Sequence, residues 1–131
     1  MKILIIGYDE ELTALTGKIL ERKGYDVACY TDIRKAFTLI ECENIHLVIA
    51  DIEAEESERL EFCKAIKNLK RPPKLLFIGK SDEEESRVLN AGADSWLKKP
   101  YKTTVFLARI SALLRQCTVD SQTHKREELS I

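Results

Sequence analysis

The chain has 131 residues, a formal net charge of −1, 44% apolar residues and 33% charged residues. This length allows one domain with a single substantial core, and the composition is that of a folded globular protein rather than a disordered one. No apolar run approaches the roughly 20 residues of a membrane-spanning helix, and no signal peptide precedes the first apolar run, so we expect a cytoplasmic protein.

Five short apolar runs recur along the chain and predict five β-strands. They are KILII at 2–6, DVACY at 26–30, HLVIA at 46–50, KLLFI at 74–78 and DSWL at 94–97. The first, third and fourth runs are almost continuous in aliphatic and aromatic residues, which is typical of strands buried on both faces of a parallel sheet.

The segments between these runs carry helical patterns. Leu12, Leu15 and Ile19 have the i, i+3, i+7 spacing of a helix, and Gly24 follows where helices commonly end. Either Thr31 or Asp32 can cap the second helix. Four further apolar stripes predict the remaining helices. They are Ile33, Ala36, Phe37 and Ile40 for helix two, and Leu60, Cys63, Ile66 and Leu69 for helix three. Val88 and Leu89 belong to helix four, and Val105, Leu107, Ile110, Leu113 and Leu114 to helix five.

Residues 118–131 are polar. We expect residues 1–117 to form the domain and residues 118–131 to form a polar tail or the start of an interdomain linker. The cysteines are widely spaced, form no C-x-x-C pair and are accompanied by only two histidines. This pattern argues against a zinc site and favours reduced, buried thiols.

The order of predicted elements is βαβαβαβαβα. It predicts an α/β fold with a doubly wound, five-stranded parallel sheet and helices on both faces. Ligands of such folds bind outside the carboxyl ends of the strands, near the point where the strand order reverses. The residues that follow the strands are therefore the candidates for a site, and they are residues 7–11, 51–53, 79–81 and 98–100.

Asp51 and Lys99 are the most informative of these residues. Asp51 ends a buried strand with a carboxylate, and buried strand ends rarely carry an unpaired charge. Lys99 follows the fifth strand and should lie on the same rim, where the two groups could form an ion pair or bind a phosphoryl group. The alternative is that Asp51 simply begins a loop.

Three segments resemble the receiver domain of two-component response regulators, over residues 2 to about 116. HLVIAD at 46–51 is similar to the third strand of that family with its phospho-accepting aspartate. AGADSWLKKP at 91–100 is similar to the segment that contains the functional lysine and a usually cis Lys-Pro bond. FLARISALLR at 106–115 resembles the fifth helix of the subgroup fused to winged-helix DNA-binding domains, the OmpR/PhoB type.

The resemblance implies a flavodoxin-like (βα)5 fold and a phosphoryl-transfer site with four parts. In the family, two acids after the first strand hold Mg²⁺, an aspartate accepts the phosphoryl group, a hydroxyl after the fourth strand contacts it, and a lysine pairs with it. Asp51 matches the acceptor and Lys99 the lysine. Trp96 matches the aromatic residue that often reports activation, and Pro100 is the cis-proline candidate.

The other two parts of the site depart from the family pattern. Gly7 and Tyr8 stand where the two acids belong, and Gly79 stands at the hydroxyl position. Mg²⁺ binding is therefore possible but expected to be weak, and no cofactor is certain. Removal of two anions also leaves Lys99 free to pair with Asp51, so we hypothesise a standing ion pair.

Nearby polar residues leave alternatives open. Asp9 falls one residue late for the acid pair and is better placed to cap the first helix, although it is also a weak metal candidate together with Asp51 and Glu53. Glu53 is either a substitute ligand or a solvated loop charge. Ser81 either replaces the missing hydroxyl or forms a capping box with Glu84. Tyr8 either fills the space of the metal or lies exposed as a contact.

Three functions follow as hypotheses. The first is a non-enzymatic, atypical receiver that acts through protein contacts, with a histidine kinase or another signalling protein as partner and an attached DNA-binding output domain. The resemblance also implies a homodimer through helix four, strand five and helix five, a face that would include Arg87, Asp94, Lys98, Lys102, Arg109 and Arg115. The second is a working phospho-acceptor at Asp51 with non-standard metal ligands. The third is a flavodoxin-like enzyme or nucleotide-binding protein, but the first loop lacks a G-x-G-x-x-G motif and a P-loop.

Overall fold

The structure is a computed structural model that describes the backbone of residues 1–129 and the side chains of residues 1–117. Over this part of the chain five strands and five helices alternate in the predicted order. They are β1 (Lys2–Gly7), α1 (Glu10–Arg22), β2 (Asp26–Tyr30), α2 (Ile33–Cys42), β3 (Leu47–Asp51), α3 (Glu56–Lys67), β4 (Lys74–Gly79), α4 (Asp82–Ala91), β5 (Ser95–Lys98) and α5 (Thr103–Leu129).

The five strands form one parallel sheet in the order β2-β1-β3-β4-β5. The chain first moves outward from β1 to β2 and then returns to place β3 on the other side of β1. The strand order therefore reverses between β1 and β3, which is where such sheets bind their ligands. Gly7 lies opposite Asp51 at this point.

Two apolar layers cover the sheet, because successive residues of a strand point to opposite faces. Leu4 and Ile6 belong to the core beneath α2, α3 and α4. Ile3 and Ile5 belong to the core beneath α1 and α5. The doubly wound α/β fold predicted from the sequence is confirmed.

Helix α1 packs through a different face from its apolar stripe. Its buried residues are Thr13, Gly17 and Leu20, whereas Leu12 and Leu15 of the predicted stripe are 45% and 57% exposed. The physical reason is close packing: a Cβ atom on Gly17 would lie only 2.8 Å from Cys29 Sγ of β2. The small residues Thr13 and Gly17 let α1 approach the sheet closely, and Leu12 and Leu15 lie on its outer side.

Two of the predicted helix boundaries are present as expected. Asp32, rather than Thr31, is the N-cap of α2, since its Oδ1 accepts a hydrogen bond of 2.8 Å from the Arg34 amide. Gly24 follows the end of α1 with a positive φ of 95°, the conformation that glycine adopts most readily.

Helix α5 continues as far as Leu129, so residues 118–129 of the expected polar tail or linker have a helical backbone. Their side chains, and residues 130–131 altogether, lie outside the described residues. The domain boundary at residue 117 therefore stays a prediction. Within the described chain, no helix is both long and apolar enough to cross a bilayer.

The expectation of buried thiols is only partly correct. The four cysteines are reduced thiols, but Cys29 and Cys42 are exposed, and only Cys63 is fully buried. Burial, with a smaller contribution from the charge of Glu84, raises the pKa of Cys63 to about 12. That thiol is therefore protonated and unreactive at neutral pH.

Two glycines with positive φ provide a matched test of the fold. A Cβ atom at Gly92, where φ is 126°, would lie 3.1 Å from Lys67 Cβ and overlap its Cγ, whereas at Gly24 no atom lies within 4 Å. We expect Gly24→Ala to lower the free energy of unfolding by about 1 kcal/mol through backbone strain alone. Gly92→Ala should cost about 2 kcal/mol or more, because a steric overlap adds to the strain. Urea denaturation measures both, and equal losses would show that the Lys67 contact has no effect.

Candidate functional site

The carboxyl ends of β1, β3, β4 and β5 meet around one small pocket of about 170 Å³. The register places Gly7 opposite Asp51 and Gly79 opposite Lys98. The Lys99 amide donates a hydrogen bond of 2.8 Å to the carbonyl of Gly79, which fixes the start of the loop after β5. Asp51 and Lys99 therefore face the same pocket, as the sequence predicts.

An ion pair joins these two residues. Lys99 Nζ lies 2.6 Å from Asp51 Oδ2, and the two side chains are only 19% and 18% exposed. Burial lowers the pKa of Lys99, but the hydrogen bond to Asp51 and the charge of Asp51, with a smaller contribution from Tyr8, outweigh it and hold that pKa above its ordinary value. The ammonium that would pair with a phosphoryl group already has a carboxylate partner.

Gly7 and Tyr8, the predicted counterparts of the family's acid pair, make different contacts in the structure. Lys99 Nζ lies 3.4 Å from the Tyr8 hydroxyl and 4.8 Å from the centre of its ring, a cation–π distance. Tyr8 remains 45% exposed, so it both contacts the lysine and presents a surface. At Gly7 a Cβ atom would overlap Thr13 Oγ1, and that hydroxyl donates a hydrogen bond of 2.7 Å to the Asp9 carbonyl.

The cluster does not fit a Mg²⁺ ion. Asp9 caps α1, since its Oδ1 accepts a hydrogen bond of 3.1 Å from the Leu12 amide. Glu53 lines the pocket with Asp51, but Mg²⁺ needs several oxygen ligands in octahedral geometry. No group of three or more His, Cys, Asp or Glu side chains suited to a metal occurs among the residues described. The Lys99 ammonium at 2.6 Å from the Asp51 carboxylate also opposes a second cation there.

Trp96 packs against Gly79, the predicted counterpart of the family's hydroxyl residue. The indole is 4% exposed, and a Cβ atom on Gly79 would lie only 2.7 Å from its Cζ3. Its Nε1 is buried without an acceptor among the side chains and backbone described, which costs about 1–3 kcal/mol. Packing against the glycine must therefore hold the ring inside.

One ion pair of the site was missed from the sequence. Arg59 of α3 and Glu84 of α4 meet at 2.6 Å between Nε and Oε1, with Glu84 almost fully buried. Arg59 also donates to the Ala54 carbonyl. The two residues are 25 positions apart, and no spacing signal links them.

This pair also corrects the capping-box interpretation of Ser81 and Glu84. Ser81 is the N-cap residue of α4 by its backbone, but its side chain makes no capping hydrogen bond. The Glu84 carboxylate turns away to Arg59 instead.

Most charges of the expected dimer face are already paired within the chain. Lys98 binds Asp82 at 2.9 Å, and Asp94 binds Lys67 at 2.6 Å. Arg87 pairs with Glu56, and Arg109 donates to Ser95 Oγ and the Trp96 carbonyl, both at 3.1 Å. For the remaining members of the face, Lys102 and Arg115, no side-chain hydrogen bond or ion pair is seen among the described residues. The Lys99–Pro100 peptide bond is cis.

A doubly wound sheet that joins the carboxylate of its third strand to a lysine after its fifth strand defines a receiver-type signalling module. The family of response regulator receiver domains matches residues 3–111, and the chain belongs to this family. It is 32% identical over 120 residues to the alkaline phosphatase synthesis transcriptional regulatory protein PhoP of Bacillus subtilis, covering 90% of this chain and 50% of that protein. It is 30% identical over 116 residues to the transcriptional regulatory protein CpxR of Escherichia coli, covering 88% and 50%. The chain thus spans about half the length of the curated relatives that it matches.

Solved structures agree with this assignment. A CheY-like receiver domain protein from Methanospirillum hungatei is 28% identical with a TM-score of 0.81, over 91% of this chain and 97% of that chain. An atypical orphan response regulator, described as having a phosphorylation-independent regulatory mechanism, is 27% identical with a TM-score of 0.77, over 88% and 96%. HP1043, an orphan response regulator of H. pylori, is 26% identical with a TM-score of 0.76, over 87% and 96%.

The pH dependence of stability tests the ion pair. Because the pKa of Lys99 is raised in the folded state, its contribution is fully present below the pKa of the unfolded chain and is lost as the pH rises through the folded pKa. We expect Lys99→Met to lower the free energy of unfolding by about 1 kcal/mol at neutral pH. That difference should shrink above about pH 10.5. Lys70→Met, on an exposed lysine, is the control, and a difference that stays constant with pH would contradict the pair.

Substitution of Gly79 tests the position of Trp96. In Gly79→Ala the new methyl group overlaps the indole, so the ring must leave its pocket or shift. We expect a red-shifted Trp96 emission and a loss of about 2 kcal/mol in the free energy of unfolding. Ser81→Ala, two residues on, should leave both unchanged because the Ser81 side chain makes no capping bond. An unshifted emission in Gly79→Ala would contradict the packing.

Proposed function

We propose that this chain is an atypical receiver that works without Mg²⁺-dependent phosphorylation of Asp51. The observation that carries the proposal is the 2.6 Å contact between Lys99 and Asp51. Phosphorylation places close to two negative charges on a carboxylate, which the family neutralises with a metal, a hydroxyl and a lysine. Here the lysine is the one remaining member of that set, and it is already paired.

The arrangement of Trp96 supports the same proposal. In a receiver with a hydroxyl at position 79, that group contacts the phosphoryl oxygens and links them to the aromatic residue. Gly79 has no such group, and the indole, 4% exposed, occupies the space that a Cβ atom at residue 79 would need. The aromatic position is therefore uncoupled from the chemistry at Asp51 and is held in one place by packing.

We infer that signalling passes through protein contacts. The relatives PhoP and CpxR are transcriptional regulatory proteins of about twice the matched length, which supports a cytoplasmic regulator with an attached DNA-binding output domain. A histidine kinase or another signalling protein is the partner class that the family favours. The presence of an atypical orphan regulator among the structural neighbours is in keeping with a phosphorylation-independent mode.

A homodimer through α4, β5 and α5 remains part of the proposal, but its chemistry differs from reciprocal ion pairs. Lys98, Arg87 and Asp94 already have partners within the chain. The face keeps two exposed apolar residues, Leu89 at 38% and Val105 at 40%. We infer that apolar contact would contribute more to such a dimer than charge would.

The second candidate function is a phospho-acceptor with non-standard metal ligands. One observation favours it: Glu53 lines the same pocket as Asp51. Asp9 contributes less to this alternative, because its carboxylate is engaged in capping α1.

Acetyl phosphate with Mg²⁺ separates the two functions. We expect no mass increase at Asp51, and no saturable change in Trp96 fluorescence when beryllium fluoride and Mg²⁺ are added together. The reason is that the anion would have to displace Lys99 from Asp51 without a metal to offset its charge. Phosphorylation that occurs in the wild type and disappears in Glu53→Gln would establish the second function instead.

A variant with the acid pair restored provides the positive control. Gly7→Asp and Tyr8→Asp must be combined with Thr13→Ala, because Thr13 Oγ1 occupies the space of a side chain at position 7. We expect calorimetry to detect Mg²⁺ binding in this triple variant and none in the wild type or in Thr13→Ala alone. Equal Mg²⁺ binding by all three proteins would contradict the role given to Gly7 and Tyr8.

A further inference from the structure

A second cavity lies between α1 and α5, beside the Asp51 pocket. It measures about 710 Å³, within the range of roughly 300–1,000 Å³ that small-molecule sites occupy. Most of its surface is apolar, and its walls are Leu12, Leu15 and Ile19 on one side and Pro100, Tyr101 and Phe106 on the other. We refer to it as the α1–α5 groove.

The groove exists because α1 packs on the sheet through Thr13, Gly17 and Leu20 and leaves Leu12 and Leu15 exposed. Leu15 is 57% exposed and Leu12 45% exposed, while Gly17 and Thr13 face the sheet. On the opposite wall Tyr101 stacks on Phe106 with 5.4 Å between ring centres. A contiguous apolar surface of this kind on a folded domain marks a binding site more often than scattered exposed residues do.

The charges around the groove favour an anionic ligand. Two cations line it, Lys80 and Lys99, and no Asp or Glu is among the described residues that form its walls. Lys99 is shared with Asp51. For Lys80, which is exposed, no ion pair or side-chain hydrogen bond is seen among the described residues, so its ammonium is available to an anion. The hydroxyls of Thr16 and Thr103 are the other polar groups of the walls.

We propose that the α1–α5 groove binds a medium-chain carboxylic acid, with the alkyl chain against Leu12, Leu15 and Phe106 and the carboxylate at Lys80 and Lys99. An apolar trough with cations and no anions complements an apolar tail with one negative head. The binding site and its ligand class do not depend on whether Asp51 accepts phosphate.

The groove and the Asp51 pocket are adjacent and have two lining residues in common. Lys80 and Lys99 line both cavities. A carboxylate at Lys99 therefore competes with Asp51 for the same ammonium, and by reciprocity the state of Asp51 alters the affinity for the ligand. In this way a small molecule acts on the centre that the family controls by phosphorylation.

Binding of decanoate below its micelle concentration, followed by calorimetry and by amide shifts in NMR spectra, tests the site. We expect shifts concentrated at α1 and at residues 99–106, and affinity that rises about threefold for each methylene from hexanoate to decanoate. Decylamine should bind at least about tenfold more weakly than decanoate, because it places a cation beside two lysines. Decanol should lie between them.

Matched variants test each part of the groove. Lys80→Ala should weaken decanoate binding about fivefold, with Lys70→Ala, at an exposed lysine far from the groove, as its control. Leu15→Glu should abolish binding, and Leu89→Glu, which alters an exposed leucine of α4, should leave it unchanged. Asp51→Asn should tighten binding about threefold, because it releases Lys99 from its partner.

Three results would overturn the proposal. The first is the absence of groove shifts with every chain length. The second is equal binding of decanoate and decylamine, since the charge of the head group would then have no effect on affinity. The third is a concentration-dependent dimer that Leu15→Glu dissociates and Leu89→Glu does not, because a second copy of the chain would then be the occupant of the groove.

Discussion

Asp51 carries a carboxylate at the end of a strand that is buried on both faces. Such a charge requires a cation beside it, and the carboxyl edge of the sheet is built around this ion pair. Asp51 ends β3, the central strand, at the point where the strand order reverses. A charge that is only 18% exposed is unfavourable there without a partner. Lys99 neutralises it, and the parallel register of β3, β4 and β5 brings the two together. The same pairing that stabilises the edge also occupies the groups on which phosphoryl transfer would depend.

The two departures from the family pattern are not empty positions. Thr13 fills the space beside Gly7 and uses its hydroxyl to bind the Asp9 carbonyl. Trp96 fills the space beside Gly79, even though its Nε1 loses a hydrogen-bond partner. At each glycine, therefore, a neighbouring side chain occupies the space that a larger residue at that position would need. Return of an acid or a hydroxyl at either position would require a change in the neighbour as well.

The fold was predictable because its signals are local. Continuous apolar runs, helical spacing and end residues such as Gly24 and Asp32 each follow from nearby sequence. The meeting of Asp51 and Lys99 was predictable because parallel strands align their carboxyl ends. The buried pair of Arg59 and Glu84 was not, because it depends on how α3 and α4 pack. The outward face of α1 was also missed, since apolar periodicity does not show that small residues allow a closer approach.

The two sides of the sheet differ in their freedom to respond to a ligand. On one side, α4 is joined to its neighbours by ion pairs from Glu84 to Arg59, Arg87 to Glu56 and Asp82 to Lys98. Of these the Glu84 pair is almost fully buried, and loss of one partner there would leave an uncompensated charge. On the other side, α1 and α5 leave an open apolar groove. Toward α4 the surroundings of Lys99 are therefore held by several ion pairs, whereas toward α1 Lys99 borders the apolar walls of the groove. Because Lys99 lines the groove and pairs with Asp51, a ligand in the groove would act on this ion pair directly from the α1 side.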